Sequence, residues 1–198
     1  SGSTDRTDEI VNLYRAGSPK VQLVSETRRR GKASAFNILI DLSEKYDTMI
    51  SLGADNIVEK HAIELLLEEF KDENVGIVGG RPIPLNSPLS FSGWSACMIW
   101  NLHHLISLRR PKISGELFAF RTGIIREIPP AMVSDDAYIQ NLFELRGYRS
   151  VYKPDAKVYL MGPRRVREFI KQRRRVFIGH RQVLFLLGQR ISTFPSLR

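Results

Sequence analysis

Asp135 and Asp136 stand side by side after Val133-Ser134, just ahead of an apolar-periodic stretch. Paired carboxylates raise each other's proton affinity, so one of them can serve as a general base. The same residues also suit the first turn of a helix, where Ser134 would cap and the helix dipole favours acids. Asp55 ends the triplet Gly53-Ala54-Asp55 after a β-rich run. Ligands collect at the carboxyl ends of strands in open α/β sheets, and a carboxylate there can hold a hard divalent cation against a diphosphate. It can equally be a turn residue that caps the next helix. Arg30-Gly31-Lys32 opens a helical stretch after Arg28 and Arg29. That arrangement is an anion site suited to phosphate, or else a solvated basic turn. Gln172 and Arg175 are three apart, so on a helix they project from one face. An Arg held this way can stabilise a leaving diphosphate. The run around it also reads as a membrane-surface or nucleic-acid stripe.

The elements that must position these residues alternate in type. β-rich runs at 21–24, 48–52, 75–78, 117–121 and 150–153 are interleaved with helical periodicity at 5–15, 32–42, 60–71, 96–108 and 137–146. This alternation predicts an α/β domain with a mixed, mainly parallel sheet flanked by helices. Thr4 is placed to cap the first helix. Residues 81–92 carry Pro82, Pro84 and Pro88 and are expected to be irregular, and Pro154 is expected to close the strand at 150–153. From Val166 onward the pattern is helical and basic, with Phe169, Ile170 and Phe177 on one side. The chain thus divides into a catalytic domain at 1–163 and a basic amphipathic extension at 164–198.

The net charge of +9 is concentrated in two places. Arg28, Arg29, Arg30 and Lys32 form one cluster, and eight cations between Arg164 and Arg181 form the other, opposed only by Glu168. Such excess points to phosphorylated substrates, anionic membrane surfaces or nucleic acid. The single Cys97 excludes an internal disulfide and a cysteine zinc cluster, and points to a reducing compartment. No run of about 18 apolar residues is present, so no segment reads as a membrane span.

Each signal is ambiguous alone, but their order is specific. Ser1-Gly2-Ser3-Thr4-Asp5-Arg6-Thr7 resembles the Asp-Gly-Ser-Thr-Asp-Gly-Thr segment of family 2 glycosyltransferases. Arg30-Gly31-Lys32-Ala33-Ser34-Ala35-Phe36-Asn37 resembles their Gly-Lys-Ala-x-Ala-Leu-Asn helix start. Gly53-Ala54-Asp55 falls where the family has Asp-x-Asp, and Gly115-Glu116 begins a segment like its acceptor-side Gly-x-x-x-x-Phe-Arg strand. Asp135-Asp136 matches the acidic pair whose second member is the family's base, and Gln172-x-x-Arg175 resembles Gln-x-x-Arg-Trp of the processive and membrane-linked branches.

The resemblance implies a Rossmann-like GT-A fold and inverting transfer from a nucleoside-diphosphate sugar to a saccharide or lipid-linked acceptor. It implies Asp136 as base and Asp135 as its tuner or as a residue that positions the acceptor, with Asp55 holding Mg²⁺ or Mn²⁺. Donor contacts would come from Ser3, Asp5, Arg30, Gly31, Lys32, Gln172 and Arg175, and acceptor contacts from Gly115 and Glu116. The basic C-terminal segment would place the enzyme at the cytoplasmic face of the cell membrane.

Three departures stand against the family pattern. The first strand, with its uracil-binding Asp, is missing, which predicts a few dozen further N-terminal residues in the parent. Gly53 replaces the first Asp of Asp-x-Asp, and Val176 stands where Trp is usual. The rival readings are an inactive glycosyltransferase-like domain and a basic nucleic-acid-binding domain.

Overall fold

The apolar run Leu117-Phe118-Ala119-Phe120 is buried along its whole length, as a central strand must be when protein covers both its faces. In the computed structural model, which describes residues 2–188, it belongs to Leu117–Arg121 (β4). The other strands are Thr48–Leu52 (β1), Ile57–Val58 (β2), Val75–Pro84 (β3) and Arg149–Leu160 (β5). They form one sheet in the order β1-β4-β3-β5-β2.

Successive side chains of a strand point to opposite faces, and here the alternation builds two cores. Phe118, Phe120, Ile77 and Met49 pack on one face with Ala33, Phe36 and Ile40 of Lys32–Ser43 (α2) and with Ile139 and Phe143 of Asp135–Leu145 (α5). Leu117, Ala119, Val75 and Val78 pack on the other with Ala62 and Leu66 of Ala62–Glu68 (α3). Thr7–Gly17 (α1), Phe91–Arg109 (α4) and Val166–Leu187 (α6) complete the chain. Val183 carries α6 into the first core, while Gln182 bonds the backbone N–H of Val133 and the carbonyl of Ala131, each at 3.0 Å.

The sheet is mixed, as expected, but its pairs are mostly antiparallel rather than mostly parallel. β3 and β5 run parallel, whereas β1–β4, β3–β4 and β2–β5 are antiparallel. The chain therefore enters β4 at the end of the sheet where it left β3, so α4 and its loops do not form the crossover that the alternation of elements suggests. This puts the carboxyl ends of β1 and β3 and the start of β4 at one end of the sheet, where the candidate site lies.

Residues 21–24 are not a strand, because a β-rich run forms no ladder without a neighbour and none pairs with it among the described residues. Conversely, β3 continues through Pro82 and Pro84. Beyond Gly79 it has left β4 and pairs only with β5, so a missing N–H costs nothing on the open edge. β5 likewise runs past Pro154, which sits where the register shifts between Gly79↔Tyr152 and Arg81↔Lys157. α4 starts at Phe91, earlier than its apolar spacing suggests, because Ser90 Oγ accepts the Gly93 N–H at 3.1 Å. At α1, the carboxylate of Asp5 rather than Thr4 takes the first-turn N–H of Thr7, at 3.1 Å.

Candidate functional site

Asp135 and Asp136 are the first two residues of α5, where unpaired amides favour negative charge. Asp135 is buried, and its Oδ2 lies 2.8 Å from Nζ of Lys32, the first residue of α2. Gly31 before it has φ 97, a conformation that L side chains rarely adopt, and it lets the chain turn so that Lys32 points at α5. Asp136 is half-buried and accepts the Ala137 N–H at 2.8 Å. Burial, and then the charge of Asp135, push its carboxyl above the ordinary range, while Lys32, the Ala137 N–H and Lys112 pull the other way. A carboxylate with raised proton affinity is what a general base requires.

Lys112 was not among the candidates read from the sequence. Gln140, one turn beyond Asp136 on the same face of α5, accepts the Ile113 N–H at 2.9 Å and donates to the Pro111 carbonyl at 2.8 Å. That clamp sets Lys112 beside the acidic pair. Burial lowers the Lys112 ammonium to about 8, opposed by Asp136 and reinforced by Arg173. Arg173 comes from α6, with its guanidinium half-buried, 3.2 Å from Gln172 Oε1 and over the Phe169 ring. His180, from the same helix, is depressed to about 4 by burial and by the charges of Lys112 and Arg173, so it is neutral near pH 7. No motif announces Lys112. The only sequence cue is its place two residues ahead of Ser114-Gly115.

The start of β4 links this acidic pair to Asp55. A methyl group placed on Gly115 would lie 3.2 Å from Lys32 Nζ and 3.4 Å from Asp136 Oδ2. The next residue, Glu116, accepts the Gly53 N–H at 3.2 Å through its carbonyl. Asn56 Nδ2 donates to the Glu116 carbonyl at 3.1 Å and to its carboxylate at 2.9 Å. Asp55 is exposed in that turn. A Cβ at Gly53 would come within 2.5 Å of Asn56 Nδ2, so the residue that replaces the first acid of Asp-x-Asp leaves room for the Asn56–Glu116 bond.

Among the described residues no group of three or more His, Cys, Asp or Glu is arranged to hold a metal. An exposed carboxylate at a strand end with a second nearby suits a divalent cation whose remaining ligands come from a diphosphate. The residues present fit such a shared ion.

Among the described residues, the remaining candidates are not bonded directly to the acidic pair or to Asp55. Ser3, Arg30 and Arg175 are exposed, Gln172 bonds Arg173, and Asp5 is held by Thr7, whose hydroxyl lowers its carboxyl below the usual range. Ser1 and residues 189–198 of the C-terminal extension lie outside the described residues. The Gly2 N–H does donate to Glu26 O at 3.0 Å, which lays the N-terminal segment along the stretch leading to Arg30.

Comparison with known proteins gives a consistent set of relatives. The family described as "Glycosyl transferase family 2" matches residues 1–127. Poly-beta-1,6-N-acetyl-D-glucosamine synthase of Staphylococcus aureus (strain COL) is 27% identical over 98% of this chain and 50% of its own length. The enzyme of the same name from Staphylococcus epidermidis is 24% identical over 92% of this chain and 46% of its own length. A mannosyltransferase from Pyrobaculum calidifontis, solved in complex with GDP-Man and Mn²⁺, superposes with a TM-score of 0.72. It is 22% identical and is matched over 93% of this chain and 53% of that one, a likeness of fold. The chain spans about half the length of the curated relatives it matches.

Proposed function

Because the chain belongs to glycosyl transferase family 2, we propose that it is the catalytic part of an inverting polysaccharide- or glycolipid-forming enzyme, with Asp136 as its base. The observation that carries this is that Lys32 Nζ and Asp136 Oδ2 both crowd the space a side chain at Gly115 would need, just ahead of β4, and that the next residue, Glu116, holds the turn of Asp55. The proposed base, the phosphate-side lysine and the turn that carries Asp55 all border the segment leading into β4.

The acceptor hydroxyl oxygen forms a bond to the anomeric carbon on the face opposite the diphosphate. Its proton passes to Asp136, the bond from carbon to the leaving oxygen breaks, and the electron pair departs with the nucleoside diphosphate. Configuration therefore inverts. Asp135 pairs with Lys32, and its charge beside Asp136 favours protonation of Asp136 as the acceptor attacks. Asp55, with Glu116 beside it, would hold Mg²⁺ or Mn²⁺; such an ion neutralises charge on the leaving diphosphate. Arg30, the Gly31 turn and Lys32 bring positive charge to the same group, with Ser3 and Asp5 along the donor side. Gln172 and Arg175 close over the donor from α6.

The relatives named as poly-beta-1,6-N-acetyl-D-glucosamine synthases favour a saccharide acceptor, and the GDP-Man complex favours a nucleoside-diphosphate sugar donor. No helix of the described residues is long and apolar enough to cross a membrane. The basic face of α6 suits peripheral attachment to the cytoplasmic face of the cell membrane.

Calorimetric titration of nucleotide sugars into the full-length protein, with and without Mn²⁺, tests the donor half. Binding should require Mn²⁺ and be lost in Asp55→Ala. Equal binding without metal would sink the role given to Asp55.

A further inference from the structure

Helix α4 is built inside out. Its buried residues are Ser92, Gly93, Ser95, Ala96, His103 and Ser107. Facing solvent are Phe91, Trp94, Met98, Leu102, Leu105 and Leu108, each between 39% and 62% exposed. A helix on the outside of a water-soluble domain normally carries the reverse pattern, and an apolar stripe of this kind marks a surface that something covers.

The charges around the stripe identify the cover. No Asp or Glu occurs between Asn74 and Gly115. At one end, Ser92 Oγ donates to the Arg164 carbonyl at 2.8 Å, which brings Arg164 and Arg165 to the start of α4. At the other end stand Arg109 and Arg110. At 1.5 Å per residue, the 19 residues of α4 make a stripe about 28 Å long with cations at both ends. A second copy of the chain docked here would set those cations against one another, as would a basic partner. An anionic leaflet neutralises both ends at once and takes the apolar side chains below its headgroups, with Trp94 at the depth where indole rings prefer to lie.

We propose that α4 lies flat in the headgroup layer of an anionic membrane and supplies the apolar footprint of the enzyme, with α6 supplying charge. The proposal deepens the membrane reading of α6 and makes a separable demand. Coulomb attraction to α6 is screened by salt, whereas burial of the α4 stripe is not.

Flotation of the full chain with phosphatidylcholine vesicles, with and without phosphatidylglycerol, tests this. Trp94→Glu with Leu102→Glu should lower the bound fraction about tenfold at low and high salt alike, with an unchanged thermal melt. Arg167→Gln with Lys171→Gln should lower it only at low salt. In Trp100→Phe, which keeps α4 intact, the emission of Trp94 should shift to the blue on vesicle addition and be quenched by lipids brominated on their acyl chains. Undiminished binding of the α4 variant, unquenched Trp94, or a vesicle-independent dimer that the α4 variant dissociates would each overturn the proposal. If the α6 variant binds normally and the α4 variant does not, the charge reading of α6 falls and this one stands.

Discussion

Nζ of Lys32 lies 2.8 Å from Oδ2 of Asp135, joining the first residue of α2 to the first residue of α5 across the start of β4. Asp135 is 5% exposed at its side chain and Lys32 45%, so the acid depends on the lysine more than the reverse. Lys32→Met leaves a buried carboxylate without its counter-ion. The fold should lose about 1–3 kcal/mol, less than for a fully enclosed pair because water reaches Lys32. The urea midpoint of Lys32→Met against wild type measures this, and Lys32→Arg should recover most of the loss.

Asp136→Asn keeps the shape of the site but removes the proton acceptor. Transfer should fall by roughly 10²–10⁴-fold while donor affinity stays within about twofold, since a base acts on the acceptor in the transition state. Parallel loss of donor affinity by calorimetry would show that the residue serves binding instead.

The same substitution has a stability signature. Burial and the charge of Asp135 hold the folded-state carboxyl of Asp136 above the ordinary aspartate range. As pH rises through that window the unfolded chain releases its proton first, so wild type loses stability, and the loss is complete above the folded value. Asp136→Asn should therefore gain on wild type between acid and neutral pH, with the two converging below pH 3.8. Urea melts at several pH values give the sign directly.

Lys112 lowers the proton affinity of Asp136. Removing that charge in Lys112→Met should move the acidic limb of kcat/KM to higher pH, and Lys112→Arg should restore it. A uniform loss of rate with no shift of the limb would mean that Lys112 merely shapes the loop.

Gly179 of α6 lies against Ser134 so closely that any Cβ there would collide with the serine hydroxyl. Gly179→Ala must push α6 off the start of α5. A loss of about 1–3 kcal/mol is expected from overpacking. The measured Tm should fall, and transfer should fall with it, because Arg173 and His180 ride on the same helix.

The glycosyltransferase family and the GT-A fold were legible because order along the chain is a property of the sequence. Gly31-Lys32, Asp55 and Asp135-Asp136 recur in sequence at turns between elements of recognisable periodicity. Lys112 was not legible, since what makes it part of the site is Gln140, distant in sequence, bonding the backbone on both sides of it. The prolines of β3 misled for a related reason. Whether a strand tolerates proline depends on which neighbour it has at that point, and residues 75–84 have β4 for only part of their length.

The sequence by itself determined which acidic and basic residues stand at which helix ends and strand ends, because that follows from residue type and local periodicity. Tertiary structure alone decided that Lys32 answers Asp135, that Asp136 crowds the space beside Gly115 and that Glu116 holds the turn of Asp55. It also turned the apolar side of α4 outward, which helical spacing leaves undecided. The reason is common to all of these. Each depends on strand pairing and helix packing between distant segments, and the energy that selects those pairings lies in contacts no single segment contains.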